Sequence, residues 1–107
     1  MIREIKCTAV IGAGSWGTAL ARLLGDKGEK VFLWGHDPEH IAAVQRDREN
    51  KKYLPGALIP ETVQPVDDLA SAVQGAQCVV MVVPSHGYRD VFEQLVPHLQ
   101  DSTLLVS

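Results

Sequence analysis

Short runs of apolar residues alternate along this chain with segments in which apolar residues recur at helical spacing. The runs are rich in aliphatic and β-branched side chains, which favour strands. They predict strands at residues 5–11, 30–34, 77–83 and 102–106. Because these strands are apolar throughout and are separated by helical segments, they indicate a parallel sheet covered by helices on both faces. The pattern therefore predicts an α/β fold.

Four segments have the apolar periodicity of helices, and they cover residues 15–24, 37–46, 67–73 and 88–99. Gly25 and Gly28 are expected to end the first helix. Asp37 can cap the second helix, and Pro38 suits its first turn. Residues 47–65 mix charged residues with prolines and a glycine, which predicts a long irregular connection.

Size and composition exclude several classes of protein. A chain of 107 residues fits one domain. The formal net charge is −3, and Lys51 and Lys52 form an isolated basic pair rather than a basic stripe, so a nucleic-acid-binding role is disfavoured. No apolar run approaches the roughly 20 residues that cross a bilayer, and the first residues lack a signal peptide's apolar region. We therefore expect a cytoplasmic protein without a membrane anchor.

The thiols and two of the histidines have no predicted chemical role. Cys7 and Cys78 lie in separate apolar runs without CxxC spacing, so they are expected to be buried free thiols rather than a disulfide or a metal site. His40 and His98 fall on predicted helices and are expected to face solvent.

Three glycines, Gly12, Gly14 and Gly17, stand in GxGxxG spacing between the first predicted strand and the first predicted helix. In dinucleotide sites they allow a tight turn, a close approach of backbone to pyrophosphate, and close packing of the helix. The N-terminus of the helix offers N–H groups and partial positive charge to the phosphates. Ser15 adds a hydroxyl donor, and Trp16 is expected to form a wall of the site. The flanking strand and helix, in a βαβ unit of about 30 residues, predict a dinucleotide site.

The end of the second strand bears on which cofactor is bound. NAD sites usually place a carboxylate there, about 20 residues after the glycines, to bind the ribose 2'-hydroxyl. If the strand ends at Trp34, Gly35 faces the ribose and His36 can donate to a 2'-phosphate, which favours NADP(H) while leaving NAD(H) possible. Asp37, 20 residues after Gly17, is the alternative ribose ligand, although we assign it to the helix cap.

Four segments together resemble the NAD(P)-dependent glycerol-3-phosphate dehydrogenases, especially the bacterial ones. They are GAGSWGTALA (12–21), LWGHDPEHI (33–41), NKKYLPGALIP (50–60) and VVPSH (82–86). Many dehydrogenases share the first segment, whereas a YLPG loop after the second strand and helix is specific to far fewer of them. The resemblance extends over the whole chain. It implies a Rossmann-type doubly wound parallel sheet that forms the N-terminal part of a larger two-domain protein.

The resemblance also implies a reaction and a set of cofactor contacts. The reaction is reversible hydride transfer between NAD(P)H and dihydroxyacetone phosphate, which gives sn-glycerol 3-phosphate for phospholipid synthesis. The family's cofactor contacts correspond to Ser15 and Trp16 in the glycine turn and to His36. Tyr53 in the YLPG loop is a further candidate, which could equally be a packing residue.

A Pro-Ser-His sequence follows the predicted strand at 77–83, on the edge where open α/β sheets bind their ligands. We expect Pro84 to pass beside the nicotinamide ribose and Ser85 to cap the next helix. His86 could supply the proton that a ketone needs on reduction. The resemblance instead assigns that role to lysines beyond residue 107, so no catalytic residue is expected within the chain.

The last predicted strand ends together with the sequence, so residues 1–107 are expected to be a truncated cofactor-binding domain without the helical substrate domain. Such a chain should bind cofactor but not turn over substrate, and the full-length protein is expected to be a homodimer. Two alternatives stay open. One is another two-domain reductase of 2-keto or 3-hydroxy acids, such as ketopantoate reductase, which the YLPG loop disfavours. The other is a non-catalytic dinucleotide sensor, which requires a reading frame without the lysines and the helical domain.

Overall fold

The computed structural model describes residues 6–107, in which parallel strands alternate with helices. The strands are β1 (Cys7–Ile11), β2 (Lys30–Trp34), β3 (Val63–Val66), β4 (Cys78–Met81) and β5 (Leu104–Val106). The helices are α1 (Ser15–Asp26), α2 (Pro38–Asp47), α3 (Leu69–Val73) and α4 (Ser85–Leu95), and a short 3-10 helix (Val96–His98) continues α4. No helix within residues 6–107 is long and apolar enough to cross a membrane. The predicted start of β1 at Ile5 lies outside the described residues.

The sheet has the strand order β3-β2-β1-β4-β5, and every neighbouring pair is parallel. This order matches the first five positions of the Rossmann sheet, which confirms the predicted fold class. β1 is central, with Val10 opposite Leu33 of β2 and Val80 of β4. Because the strand order reverses at β1, the loops that follow β1 and β4 meet at the carboxyl edge of the sheet.

Buried side chains cover both faces of the sheet, which is why the strands lack alternating polar residues. Successive residues of a strand point to opposite faces. Thus Ala9 and Ile11 of β1 join a cluster with apolar residues of α3 and α4, while Val10 joins a second cluster with those of α1 and α2. The two clusters fix the sheet between two layers of helices and hold the ends of its strands in place.

One strand lies where the sequence predicted none. Residues 47–65 were expected to be irregular, but Val63–Val66 forms the strand β3. Its Pro65 obscures the pattern, since proline cannot donate a ladder hydrogen bond and is confined in sheets to edges and bulges. Within the described sheet β3 pairs only with β2, where Pro65 lies opposite Leu33. An edge position therefore tolerates the proline.

Helix α1 is longer than predicted because Gly25 lies inside it. A β-carbon at Gly25 would lie 2.7 Å from both Thr62 Oγ1 and Val63 Cγ2. Gly25 thus allows α1 to pack against the start of β3, and it does not end the helix. The chain turns instead at Gly28, which has a φ of +93° that favours glycine.

The remaining boundaries differ by a few residues from those predicted. Helix α3 begins one residue after Asp68, whose carboxylate accepts a 3.2 Å hydrogen bond from the backbone N–H of Ser71. β4 ends at Met81 rather than at residue 83, and α4 begins at Ser85 rather than at residue 88.

The strand predicted at 102–106 was expected to lie in a sheet covered on both faces, but the three side chains of β5 are exposed. It pairs with β4 from Cys78 to Val80, and neither buried cluster contains a residue of β5. Its backbone pairing is therefore the main feature that joins it to the rest of the described chain.

The cap of α2 gives a test of local stability. Asp37 Oδ1 accepts hydrogen bonds from the backbone N–H groups of Glu39, at 3.0 Å, and His40, at 3.4 Å. Replacing Asp37 with alanine leaves both donors without this acceptor and is expected to lower the free energy of unfolding by about 1 kcal/mol, measured by urea denaturation. Asp37→Asn keeps the acceptor and is expected to change the free energy of unfolding by less than about 0.5 kcal/mol. Equal losses in the two variants would contradict the capping role.

Candidate functional site

The glycine turn between β1 and α1 lies where the ends of three strands meet. The backbone N–H of Gly12 donates to the Trp34 carbonyl at the end of β2, at 2.9 Å. On the other side, the N–H of Val82 after β4 donates to the carbonyl of Ile11, also at 2.9 Å. The turn is thereby fixed at the reversal point of the strand order, where the predicted dinucleotide site belongs.

Two of the three glycines are required by the packing of the turn itself. Gly12 has a φ of +130°, and a β-carbon there would lie 2.7 Å from the Val82 carbonyl oxygen. A β-carbon at Gly17 would lie 1.8 Å from the carbonyl oxygen of Gly12. Any side chain at these positions would therefore collide with backbone, and the first turn of α1 sits directly against the end of β1.

Gly14 differs because packing within residues 6–107 does not require it. Its φ is −84°, and a β-carbon there would have no atom of these residues within 4 Å, apart from its own chain neighbours. Gly14 is the N-cap of α1, no side chain caps this end, and the first turn carries no acidic residue. The N-terminus of this 12-residue helix, with its N–H groups and the positive end of its dipole, thus has no side-chain cap and adjoins the open space at Gly14, an arrangement suited to an anion such as a phosphate.

Ser15 and Trp16 begin α1 beside this space. Trp16 is 82% exposed, so its indole is available to a ligand. The Ser15 hydroxyl, predicted to be a phosphate donor, instead donates to the Tyr53 carbonyl at 2.8 Å. Since a hydroxyl has one proton, Ser15 cannot donate to a phosphate while this bond persists.

The loop that contains Tyr53 lies against the glycine turn. The Tyr53 ring is packed edge-on against the His40 ring, with 5.3 Å between centroids, and Lys52 Nζ lies 5.2 Å from the centre of the phenol ring. The residue as a whole is still 41% exposed. Tyr53 thus packs, as one of the two interpretations expected, and it remains accessible, while its contact with a cofactor stays a prediction.

At the end of β2, His36 is exposed while Asp37 is engaged in the cap of α2. A β-carbon at Gly35 would lie 2.7 Å from Ile41 Cδ1, so this position is sterically restricted. Because Asp37 Oδ1 already accepts two backbone N–H groups, the geometry favours the capping role that we assigned to it. His36 keeps an unobstructed side chain on the same edge of the sheet.

The segment after β4 approaches the turn through Val82 and then begins α4. Pro84, Ser85 and His86 are all exposed. The expectation that Ser85 caps α4 is wrong, because Ser85 is the first helical residue and Pro84 occupies the N-cap position without a side-chain cap. The helix begins directly after a proline, whose ψ of 148° makes the sharp entry.

Sequence reasoning missed Asn50, which is completely buried beside the glycine turn. Its Nδ2 donates to the Ala13 carbonyl at 2.9 Å and to Thr18 Oγ1 at 2.8 Å. His40, predicted to face solvent, instead hydrogen bonds through Nε2 with Asn50 Oδ1 at 2.9 Å. The available signal was an asparagine at the start of the NKKYLPG segment, although no local pattern pairs it with residue 13.

Groups with shifted pKa values lie away from this edge. The guanidinium of Arg46 lowers the pKa of Asp47, and hydrogen bonds from Ser71 lower the pKa of Asp68. Burial raises the pKa of both thiols, which disfavours their reactive thiolate form. Cys78 is buried as predicted, whereas Cys7 is only half-buried, and both are free. His98 is exposed, as predicted.

The glycine turn offers a test that separates the glycine required by packing, Gly17, from the one that packing does not require, Gly14. Gly17→Ala places a methyl group on the Gly12 carbonyl and is expected to lower the free energy of unfolding by about 3 kcal/mol or more. Gly14→Ala enters open space at a φ that alanine tolerates, and the loss of glycine from the N-cap is expected to lower the free energy of unfolding by no more than about 1 kcal/mol. Thermal and urea denaturation of the two variants measure the difference. A stable Gly17→Ala protein would contradict the close contact of α1 with the turn.

Comparison with known proteins agrees with this geometry. The family model described as NAD-dependent glycerol-3-phosphate dehydrogenase N-terminus matches residues 7–107. A curated glycerol-3-phosphate dehydrogenase, NAD(P)+, from Desulfotalea psychrophila is 56% identical over 99 residues, covering 92% of this chain and 29% of the relative. The enzyme of the same name from Yersinia pestis strain Pestoides F is 50% identical over 98 residues, with the same coverage.

A solved structure gives the same result for the fold. The crystal structure of glycerol-3-phosphate dehydrogenase from Coxiella burnetii superposes with a TM-score of 0.91 at 37% identity, covering 94% of this chain and 31% of that chain. The chain spans about 29% of the length of the curated relatives. From the glycine turn, the sheet order and these matches together, the chain belongs to the NAD-dependent glycerol-3-phosphate dehydrogenase family and corresponds to the N-terminal part of its proteins.

Proposed function

We propose that this chain is the cofactor-binding part of a cytoplasmic enzyme that transfers hydride reversibly between NAD(P)H and dihydroxyacetone phosphate. The product of reduction is sn-glycerol 3-phosphate, a precursor of phospholipids. The main support is the open, uncapped N-terminus of α1 behind Gly14, set at the reversal point of the sheet. The identity of 56% to a curated dehydrogenase supports the same reaction.

The proposed cofactor contacts surround this helix end. The turn of Gly12, Gly14 and Gly17 brings backbone close to the pyrophosphate, and the first N–H groups of α1 donate to it. The exposed Trp16 indole lies beside the same helix end. Ser15 contributes its hydroxyl once it has released the Tyr53 carbonyl.

Three further contacts extend the proposed site along the carboxyl edge. His36 faces the ribose of the adenosine half, and Tyr53 lies at the edge of the cofactor beside the turn. Pro84 lies next to the nicotinamide ribose, where the segment after β4 meets the glycine turn. His36 follows β2 and Pro84 follows β4, the two strands that flank β1 in the parallel sheet, which supports this arrangement.

In this mechanism the described residues bind and orient rather than transfer protons. The glycine turn and the first N–H groups of α1 would hold the dinucleotide, which would supply the hydride for the carbonyl carbon of the ketone, and the carbonyl oxygen would need a proton. Holding the dinucleotide at a rigid sheet edge reduces the entropy lost when the two reactants meet. The proton donor and the groups that bind the substrate phosphate are assigned to lysines beyond residue 107. The full-length protein is proposed to be a homodimer.

For the cofactor, we propose a preference for NADP(H) over NAD(H). Asp37 is occupied as the cap of α2, so no uncommitted carboxylate follows β2 directly to repel a 2'-phosphate. The exposed His36 imidazole can donate a hydrogen bond to that phosphate. If the protein instead binds NADH more tightly than NADPH, and replacing Asp37 removes that difference, the ribose contact would be assigned to Asp37.

Gly14→Val tests the cofactor site directly. Because a β-carbon at Gly14 meets no described atom within 4 Å, the fold should tolerate a side chain there, and a valine should collide with a bound pyrophosphate. We expect NADPH binding to weaken by roughly 10- to 100-fold, measured as a dissociation constant. Ala42→Val places a valine at an exposed position on α2 and should leave binding unchanged. If a folded Gly14→Val protein binds NADPH as tightly as the unchanged protein, the glycine turn does not contact the pyrophosphate.

His36→Ala tests the cofactor preference. The dissociation constants for NADPH and NADH can be followed at fixed salt through emission of the exposed Trp16. We expect the variant to bind NADPH about tenfold more weakly and NADH within about twofold of the unchanged protein. His98→Ala, another exposed histidine, is the control and should alter neither constant. Equal weakening of both cofactors would argue against a contact with the 2'-phosphate.

A further inference from the structure

Asn50 is a polar side chain with no exposed surface, held between the glycine turn, two helices and the YLPG loop. Its Nδ2 donates to the Ala13 carbonyl and to Thr18 Oγ1, while its Oδ1 accepts from the Tyr53 N–H at 3.3 Å and hydrogen bonds with His40 Nε2. These four bonds use both donors and both lone pairs of the amide. A fully satisfied buried amide of this kind fixes the geometry of every group around it.

The partners also fix which way the amide faces. The Ala13 carbonyl can only accept and the Tyr53 backbone N–H can only donate. Nitrogen must therefore face Ala13 and oxygen must face Tyr53. It follows that His40 Nε2 carries the proton in its bond to Asn50.

The bond to Ala13 determines the direction of the next N–H group. In a trans peptide the C=O and the following N–H point in opposite directions, and the chain contains no cis peptide among its described residues. Because Asn50 holds the Ala13 carbonyl toward the protein interior, the N–H of Gly14 points away from Asn50. Gly14 is the position that faces open space at the N-terminus of α1.

The same side chain holds the loop beside the turn. Besides the Asn50 Oδ1 bond to the Tyr53 N–H, the backbone carbonyl of Asn50 accepts from the Leu54 N–H at 2.7 Å. On the exposed side of the loop, the Ser15 hydroxyl donates a hydrogen bond to the Tyr53 carbonyl. Asn50 thereby couples the turn, at residue 13, to a loop 37 residues further along the chain.

We propose that Asn50 is a positioning residue for the cofactor pyrophosphate: it directs the Gly14 N–H toward the phosphates and holds the Tyr53 loop next to them. The inference rests on the proposed function, because it takes a dinucleotide as the ligand. Asn50 itself is completely buried, so its proposed effect on the cofactor is exerted through the residues that it holds.

The test combines binding with a signal from the Gly14 amide. In the unchanged protein, NADPH should shift the Gly14 amide proton downfield in an NMR titration, since a new hydrogen bond to phosphate forms. Asn50→Ala should abolish most of that shift and weaken NADPH binding about tenfold. Asn50→Ser serves as a second variant, because its hydroxyl stops one bond short of the Nδ2 position and cannot reach the Ala13 carbonyl.

Thr18→Val is the matched control. It preserves the side-chain shape and removes the other hydrogen bond of the same nitrogen, while the bond to Ala13 remains. Its stability should fall, yet the Gly14 shift should be retained and NADPH affinity should stay within about twofold. A general loss of packing would instead reduce the shift in all variants alike, which would overturn the inference.

The remaining outcomes also decide the question. A folded Asn50 variant that keeps the Gly14 shift and the affinity would overturn the positioning role while leaving the proposed function intact. If neither Asn50 variant folds, the role is structural and the inference is wrong. If the unchanged protein, once shown to be folded, binds neither NADPH nor NADH, the proposed function fails and the inference falls with it.

Discussion

The carbonyl oxygen of Gly12 lies where a side chain at position 17 would begin, and the approach of α1 to the sheet depends on that contact. With glycine at both positions, the helix can start almost immediately after β1 ends. Its N-terminus then lies at the point where the strand order reverses. The apolar clusters on the two faces of the sheet hold the strands in register, so the position of this helix end is fixed from several directions.

The turn owes its shape to contacts from distant parts of the chain. β2 and β4 contribute backbone hydrogen bonds on either side of it, and Asn50 holds its carbonyl from within. The glycines therefore leave room for the tight turn, while hydrogen bonds from other elements set the orientation of its backbone. This division explains why Gly14 has no steric role in the protein: its missing side chain leaves room for a ligand.

Much of the fold could be predicted because its signals are local. Continuous apolar runs separated by helical periodicity indicate a parallel sheet covered on both faces, and the Asp-Pro-Glu sequence indicates the start of α2. The errors have specific causes. β3 was missed because Pro65 is tolerated only at an edge, and Gly25 was read as a helix end because its contact with Thr62 is not visible locally. The expected capping by Ser85 failed because Ser85 is itself the first helical residue.

The sequence by itself determined the class of the fold, the glycine turn and the capping role of Asp37, since each depends on sterics and hydrogen bonds among residues close in the chain. Only the tertiary structure decided that His40 is packed, that the Ser15 hydroxyl is engaged by Tyr53, and that Asn50 connects the loop to the turn. These contacts join residues that are 10 to 38 positions apart. Their formation depends on how separate elements fold onto one sheet, which no local pattern specifies.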